Sequence, residues 1–347
     1  MYYENVELHN VAEVTDGPNG GVCLQRVPEH VREKLNERAR EMVLRPACGE
    51  IRFVSDGPSA RVTLSAASEQ VRVVPFFGTF RNGSPLIVGR QPVTFEVTMP
   101  DAFRQRLPML ERRHMPFSPR VCRLMLWGGQ VCFYRVEGEG VRSPSPAEVP
   151  RLRYLSYGTS ITHGAAATWP HLAYVAQVAR RLGADLLNLG MGGSCHCEPE
   201  LADYIARRTD WHVATLALSV NMMGFSDEEF RERVTYMVNT VARADHSRPV
   251  ACITLFRYFG DRELQPDEAD CKADDFRQIL RDVVAVCPHP NVCLLEGREM
   301  LTDFGGLTTD LIHPADDGMI QMAENIARRL LPLVAAKVPD GRSGLPG

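Results

Sequence analysis

The change in hydrophobic period near residue 142 constrains this chain most. From residue 151 onward, short apolar runs alternate with stretches whose apolar residues recur every three or four positions. The short runs cover 152–157, 185–189, 213–218, 249–255 and 292–295 and read as strands. The stretches at 170–182, 198–208, 227–243, 268–286 and 316–331 read as helices, with Pro170 suited to a first turn. Strands and helices alternating in this way predict a parallel sheet covered on both faces. Ligands of such sheets bind beyond the carboxyl ends of the strands, so chemistry is expected in the loops that follow them.

Residues 1–141 follow a different pattern. Runs at 50–55, 61–66, 71–76, 92–98, 121–127 and 131–136 are short and rich in Val, Phe and Ile. Turn residues separate them, including Asp56-Gly57-Pro58, Asn82-Gly83-Ser84 and Gly128-Gly129. This spacing predicts a β-sandwich or jelly roll. Residues 28–42 depart from it: Val31, Leu35, Ala39 and Met42 have the spacing of one amphipathic helix. The segment 142–150, RSPSPAEVP, suits an extended linker. It divides a sandwich domain at 1–141 from a second domain at 151–336, with a flexible tail at 337–347.

The formal net charge of −4 and the mixing of Arg with Asp and Glu argue against a nucleic-acid surface. No run has the length of a membrane helix, and the first ten residues lack the basic and apolar parts of a secretion signal. The ten cysteines are scattered, which reads as reduced thiols acting as small apolar residues. These features predict a cytoplasmic protein acting on a small molecule, and they set no oligomeric state. Cys195-His196-Cys197 has too few neighbouring ligands for zinc, so no metal or cofactor is expected.

Four loops carry groups suited to catalysis. Tyr157-Gly158-Thr159-Ser160-Ile161-Thr162 puts a serine at a strand end. Asn188-Leu189-Gly190-Met191-Gly192-Gly193-Ser194 supplies closely spaced glycines, whose backbone N–H groups can meet an oxyanion. Ser219-Val220-Asn221-Met222 offers a side-chain amide donor. Asp310-Leu311-Ile312-His313 sets a carboxylate three residues from an imidazole, which can fix its tautomer and leave Nε2 as a base. Taken singly, each loop also suits a turn or a helix cap.

In order and context, the four loops resemble the blocks of the SGNH, or GDSL-type, serine hydrolase superfamily. The resemblance spans 151 to about 333. It implies a flavodoxin-like α/β/α domain in which Ser160 is the nucleophile, His313 the base and Asp310 its orienter. The N–H groups of Ser160 and Gly193 and the side chain of Asn221 would form the oxyanion hole. Thr159 stands where the family usually has aspartate, Ser219 where it has glycine, and Met222 where it has aspartate. A sandwich before this domain resembles a two-domain branch containing carbohydrate esterases and tailoring acyltransferases.

The leading expectation is therefore hydrolysis of a small, sugar-like O-acyl ester through an acyl-enzyme. The first alternative is transfer of the acyl group, from a donor such as an acyl-CoA, to an alcohol of a natural product. The second is a carbohydrate-binding protein with an inactive hydrolase domain. His163, Trp169, Cys195, Arg257 and Tyr258 lie near the loops and are expected to touch substrate. His163 is also a rival base.

Overall fold

The computed structural model of the protein describes residues 1–113, 115–262 and 268–335, so the tail expected at 337–347 lies outside the described residues. In the first half the strands are β1 (Tyr2–Tyr3), β2 (Val6–His9), β3 (Glu13–Asp16), β4 (Val22–Gln25), β5 (Glu50–Phe53), β6 (Ser59–Ala66), β7 (Val71–Phe77), β8 (Phe80–Arg81), β9 (Leu86–Val88), β10 (Val93–Thr98), β11 (Cys122–Gly128) and β12 (Val131–Gly138). They form two antiparallel sheets. One runs β1-β2-β5-β11-β7-β8, with β9 also on β7, and the other runs β10-β6-β12-β4-β3. Leu8, Val62, Leu64, Val73, Leu124 and Phe133 belong to the core between them, the expected sandwich.

Two expectations change here. Residues 28–42 form two short helices, α1 (Glu29–Arg32) and α2 (Glu37–Met42), rather than one. Asn36 breaks the run because its Oδ1 accepts from the N–H of Ala39 and caps α2. Second, the cysteines are not all reduced. Cys23 and Cys132 face each other on β4 and β12 and are joined in a disulfide. Such bonds persist in oxidising surroundings, so the cysteines no longer argue for a reducing compartment. Between β10 and β11 lie two short helices, α3 (Asp101–Arg104) and α4 (Leu107–Glu111).

The second half contains β13 (Arg153–Gly158), α5 (Ser160–His163), α6 (Tyr174–Leu182), β14 (Asp185–Gly190), α7 (Pro199–Arg207), β15 (Val213–Ala217), α8 (Asp227–Arg243), β16 (Val250–Ile253), α9 (Glu268–Ala285), β17 (Val292–Leu295), α10 (Gly297–Met300) and α11 (Asp316–Val334). The helix expected at 170–182 starts later, at Tyr174. Pro170–Leu172 is a separate 3-10 turn, and Ala173 is extended. The five strands are parallel in the order β14-β13-β15-β16-β17, as in flavodoxin-like sheets. The chain leaves β13 to one side for β14 and then crosses to β15. The switch point is therefore the end of β13, where Ser160 sits. Helices α6 and α11 cover one face, with Val178 and Met322 in its core, and α7, α8 and α9 cover the other, with Leu201, Phe230 and Phe276.

The first half seals the open edge of this sheet. Strand β14 lies at the edge and would present bare carbonyls. His9 Nε2–H donates to the carbonyl of Leu186 (2.6 Å). Asn10 Nδ2 (2.9 Å) and Arg26 Nη1 (3.0 Å) donate to that of Asn188. Val31, Leu35 and Ala39 of the α1–α2 segment pack with Leu187, Leu189 and Met191 on one face. Val74, Phe76 and Met125 of the sandwich pack with Ala173 and Tyr174 on the other. Among the described residues no helix is long and apolar enough to cross a membrane.

Candidate active site

Ser160 opens α5 directly after β13, and Thr159 caps that turn through its side chain. The backbone of α5 lies so close to β14 that a Cβ on Gly190 would sit 2.3 Å from the N of His163, so only glycine allows the approach. Ser160 Oγ is 2.8 Å from His313 Nε2. On the ring's other side, Nδ1–H donates to Asp310 Oδ2 (2.7 Å). That bond places the ring proton on Nδ1 and leaves Nε2 to accept from the serine hydroxyl.

A tight loop holds the carboxylate. Asp310 Oδ1 accepts from the N–H groups of Ile312 and His313 (both 2.9 Å) and from the Thr308 hydroxyl (2.8 Å). Leu311 makes this possible by adopting a left-handed conformation, φ 57°. Burial works to raise the Asp310 pKa. The bonds from His313, Ile312 and Thr308 outweigh it and hold the carboxyl well below the usual carboxylate range. Asp310 therefore stays ionised and can stabilise an imidazolium.

The oxyanion candidates converge from both sides of β13. Gly193 follows β14, is exposed and has φ 70°, and its N–H has no partner among the described residues. Asn221 follows β15. Its Oδ1 accepts from the N–H of Cys195 (3.2 Å), which commits the oxygen end and leaves Nδ2 as a donor. Met222 is fully buried in the core, so the loop is anchored there by an apolar contact. Ser219, in place of glycine, sits at φ 147°.

The expected substrate contacts fare differently. The His163 ring faces away from acid–base chemistry. Its Nδ1–H donates to the Gly190 carbonyl (3.1 Å), and burial, with Arg26 nearby, pushes its pKa down to about 3. The Cys195 thiol is fully buried, and only its backbone serves the site. Arg257 spends its guanidinium on the carbonyls of Leu301 (3.0 Å) and Arg298 (3.4 Å). Trp169 is half-buried beneath Arg72. Tyr258 lines a cavity of about 20 Å³ between the β13, β15, β16 and His313 loops, with Ile161, Ala217, Val220, Phe256 and Ile312 among its walls. A single water needs about 10–15 Å³, so this space suits a methyl-sized apolar group.

Pattern reading missed residues of the first half. Asn36 Nδ2 donates to the Ser194 carbonyl (3.1 Å) and to Glu198, so the cap of α2 also holds the Gly193 loop. Met42 abuts Gly192: the point a Cβ there would occupy is 3.1 Å from Met42 Cε and 3.8 Å from Ser160 Cβ. Helical spacing marks Met42 as an apolar residue, but no local signal in the sequence places either residue beside the Gly193 loop.

A sandwich joined to a 2-1-3-4-5 parallel sheet, with a Ser–His–Asp chain at the switch point, defines a two-domain SGNH-type fold. The chain belongs to the GDSL-like lipase/acylhydrolase family, whose sequence profile matches residues 153–331. A search of curated proteins returns no match. Solved structures share both halves. A salicylyl-acyltransferase from a tetracycline biosynthetic pathway superposes with a TM-score of 0.75 at 16% identity, over 97% of this chain and 96% of that one. A family two carbohydrate esterase from Cellvibrio japonicus gives 0.63 at 12% identity, over 96% of each chain. One from Clostridium thermocellum, in complex with cellohexaose, gives 0.58 at 16% identity, over 83% of this chain and 93% of that one. At these identities the likeness shows the fold.

Proposed function

We propose that the protein is a serine-dependent acyl-ester hydrolase acting through an acyl-enzyme on a small O-acyl ester. The observation that carries this reading is the unbroken bond chain Ser160–His313–Asp310 at the switch point. The Ser160 oxygen attacks the acyl carbonyl carbon while His313 Nε2 takes its proton. The oxyanion is met by the N–H groups of Ser160 and Gly193 and by Asn221 Nδ2. Collapse breaks the ester C–O bond, and His313 passes the proton to the departing alcohol. Water then attacks the acyl carbon as His313 takes a proton from it, and collapse breaks the bond between that carbon and the Ser160 oxygen, releasing the acid while His313 returns the proton to Ser160. The small apolar cavity favours a short acyl group.

Transfer to an alcohol is a second reading, in which the same acyl-enzyme meets an alcohol in place of water. Its support is that a salicylyl-acyltransferase shares the fold over nearly the whole of both chains. The reading as an inactive carbohydrate-binding protein would leave the ordered Ser160–His313 contact without a use. Labelling with a fluorophosphonate tests the common step. Stoichiometric addition at Ser160 by mass spectrometry is expected, and no addition would sink both enzymatic readings.

A further inference from the structure

One peptide unit, between Ser194 and Cys195, joins the first half to both oxyanion candidates. Its carbonyl accepts from Asn36 Nδ2 (3.1 Å), and its N–H donates to Asn221 Oδ1 (3.2 Å). It follows directly on the turn that carries Gly193, which the N–H of Ser194 closes on the Met191 carbonyl (3.2 Å). Both loops run beside the serine. The point a Cβ on Gly192 would occupy is 3.8 Å from Ser160 Cβ. Val220 and Ile161, the chain neighbours of Asn221 and Ser160, wall the same small cavity.

The Asn36 amide can lie only one way round. Its Oδ1 accepts from the N–H of Ala39 (2.9 Å), and Nδ2 faces the Ser194 carbonyl and the Glu198 carboxylate. A carbonyl has no proton to give, so the nitrogen end must face the loop. Leu35 and Ala39, on either side of Asn36, are buried in the core that holds Leu187, Leu189 and Met191. The donor therefore sits on a packed element. Across the peptide the amide groups run head to tail. Asn36 donates to the peptide, the peptide donates to Asn221, and Asn221 is left with Nδ2 as its donor. Hydrogen bonds in such a chain polarise one another.

We propose that Asn36 is a positioning residue for the oxyanion hole. Through the Ser194–Cys195 peptide it orients Asn221 and holds the Gly193 turn, so the first half completes the site of the second. The proposal rests on the acyl-enzyme reading, with Asn221 as an oxyanion donor. Its effect should appear in the rate, because the oxyanion forms only as the reaction proceeds.

Asn36→Ser separates this role from the cap of α2. Serine caps a helix about as well as asparagine but brings no amide donor. With para-nitrophenyl acetate, kcat should fall about 5–20-fold and KM change by less than about 2-fold, with the denaturation midpoint held. In an Asn221→Ala background the same change should cost less than about 2-fold, because the relay then has nothing to orient. A residue serving only as a cap would lower the midpoint and leave kcat per folded molecule alone. Asn36→Gly, also tolerated at a cap, takes the place of Asn36→Ser if that variant does not fold.

The coupling can also be read without chemistry. With cysteine nitrogen isotope-labelled, Asn36→Ser should speed hydrogen exchange at the Cys195 N–H about 5-fold or more. Exchange at Cys122 and Cys252, in β11 and β16, should stay unchanged. An unchanged kcat, a loss confined to KM or additive losses in the double variant would overturn the positioning role. Unchanged exchange at Cys195 would overturn the relay. If fluorophosphonate fails to label Ser160 while exchange at Cys195 still responds, the acyl-enzyme falls, and with it the catalytic use of the relay, but the coupling of the two halves stands.

Discussion

The two ends of the parallel sheet use similar groups for opposite purposes. At the amino end of β14, Arg52 is almost fully buried and donates to both Asp185 oxygens (2.8 and 2.6 Å) and to Glu50 (2.6 Å). Glu50 also accepts from Arg123, and His9 lies 3.3 Å from Asp185. At the carboxyl end, Asp310 and His313 make a similar pair, but with side chains 49% and 25% exposed. There Nε2 meets the Ser160 hydroxyl, and the Gly193 N–H has no partner among the described residues. Hydrogen-bonding capacity saturated inside the protein holds the halves together. Capacity left open at a strand end is available to a substrate.

That contrast can be broken at either end. The largest effect is expected from Ser160→Ala, which should cost about 10⁶-fold in kcat on an activated ester while leaving the denaturation midpoint unchanged. Retained turnover would remove the serine from the mechanism. Asp185→Ala should do the reverse. It leaves Arg52 buried without its bidentate partner and should destabilise by about 3–5 kcal/mol in urea titrations, with kcat per folded molecule preserved. A stability unchanged within error would show that the network is replaceable.

The same network should set acid stability. Burial raises the Glu50 pKa, but Arg123 and Arg52 outweigh it and bring it to about 2. Glu7 is brought to about 2 against burial chiefly by Arg52, and Asp185 is lowered in the same way. Carboxyls depressed in the folded state contribute stability that is complete above their unfolded pKa, about 4. That stability is lost as pH falls through the folded values. The midpoint should therefore hold through neutrality and fall between about pH 4.5 and 2. A profile flat to pH 2 would contradict the assignment.

Smaller effects sharpen the picture at the site. Asn221→Ala should lower kcat by about 10²–10³ with little change in KM, the usual cost of one oxyanion donor. A change confined to KM would make Asn221 a binding residue. Ser219→Gly should stabilise by about 1 kcal/mol, because φ 147° suits glycine. A destabilised variant would mean that the buried hydroxyl makes a contact worth more than the strain it costs.

Local signals in the sequence determined a good deal. Asp310 and His313 are three residues apart, so one loop can join them. The βα alternation by itself puts Ser160, Gly193 and Asn221 at strand ends, where a parallel sheet gathers them. The first half was harder to read. Strands β1 to β4 are too short to show alternation, and the break at Asn36 depends on a polar side chain within an apolar pattern. Tertiary structure alone decided which half serves which purpose. Asn36 meets Ser194 across 158 residues, Arg52 meets Asp185 across 133, and Cys23 meets Cys132 across 109. It also turned His163 and the Cys195 thiol inward. Such contacts leave no periodic trace, because their spacing is set by how elements distant in the sequence pack together and not by the repeat of either chain segment.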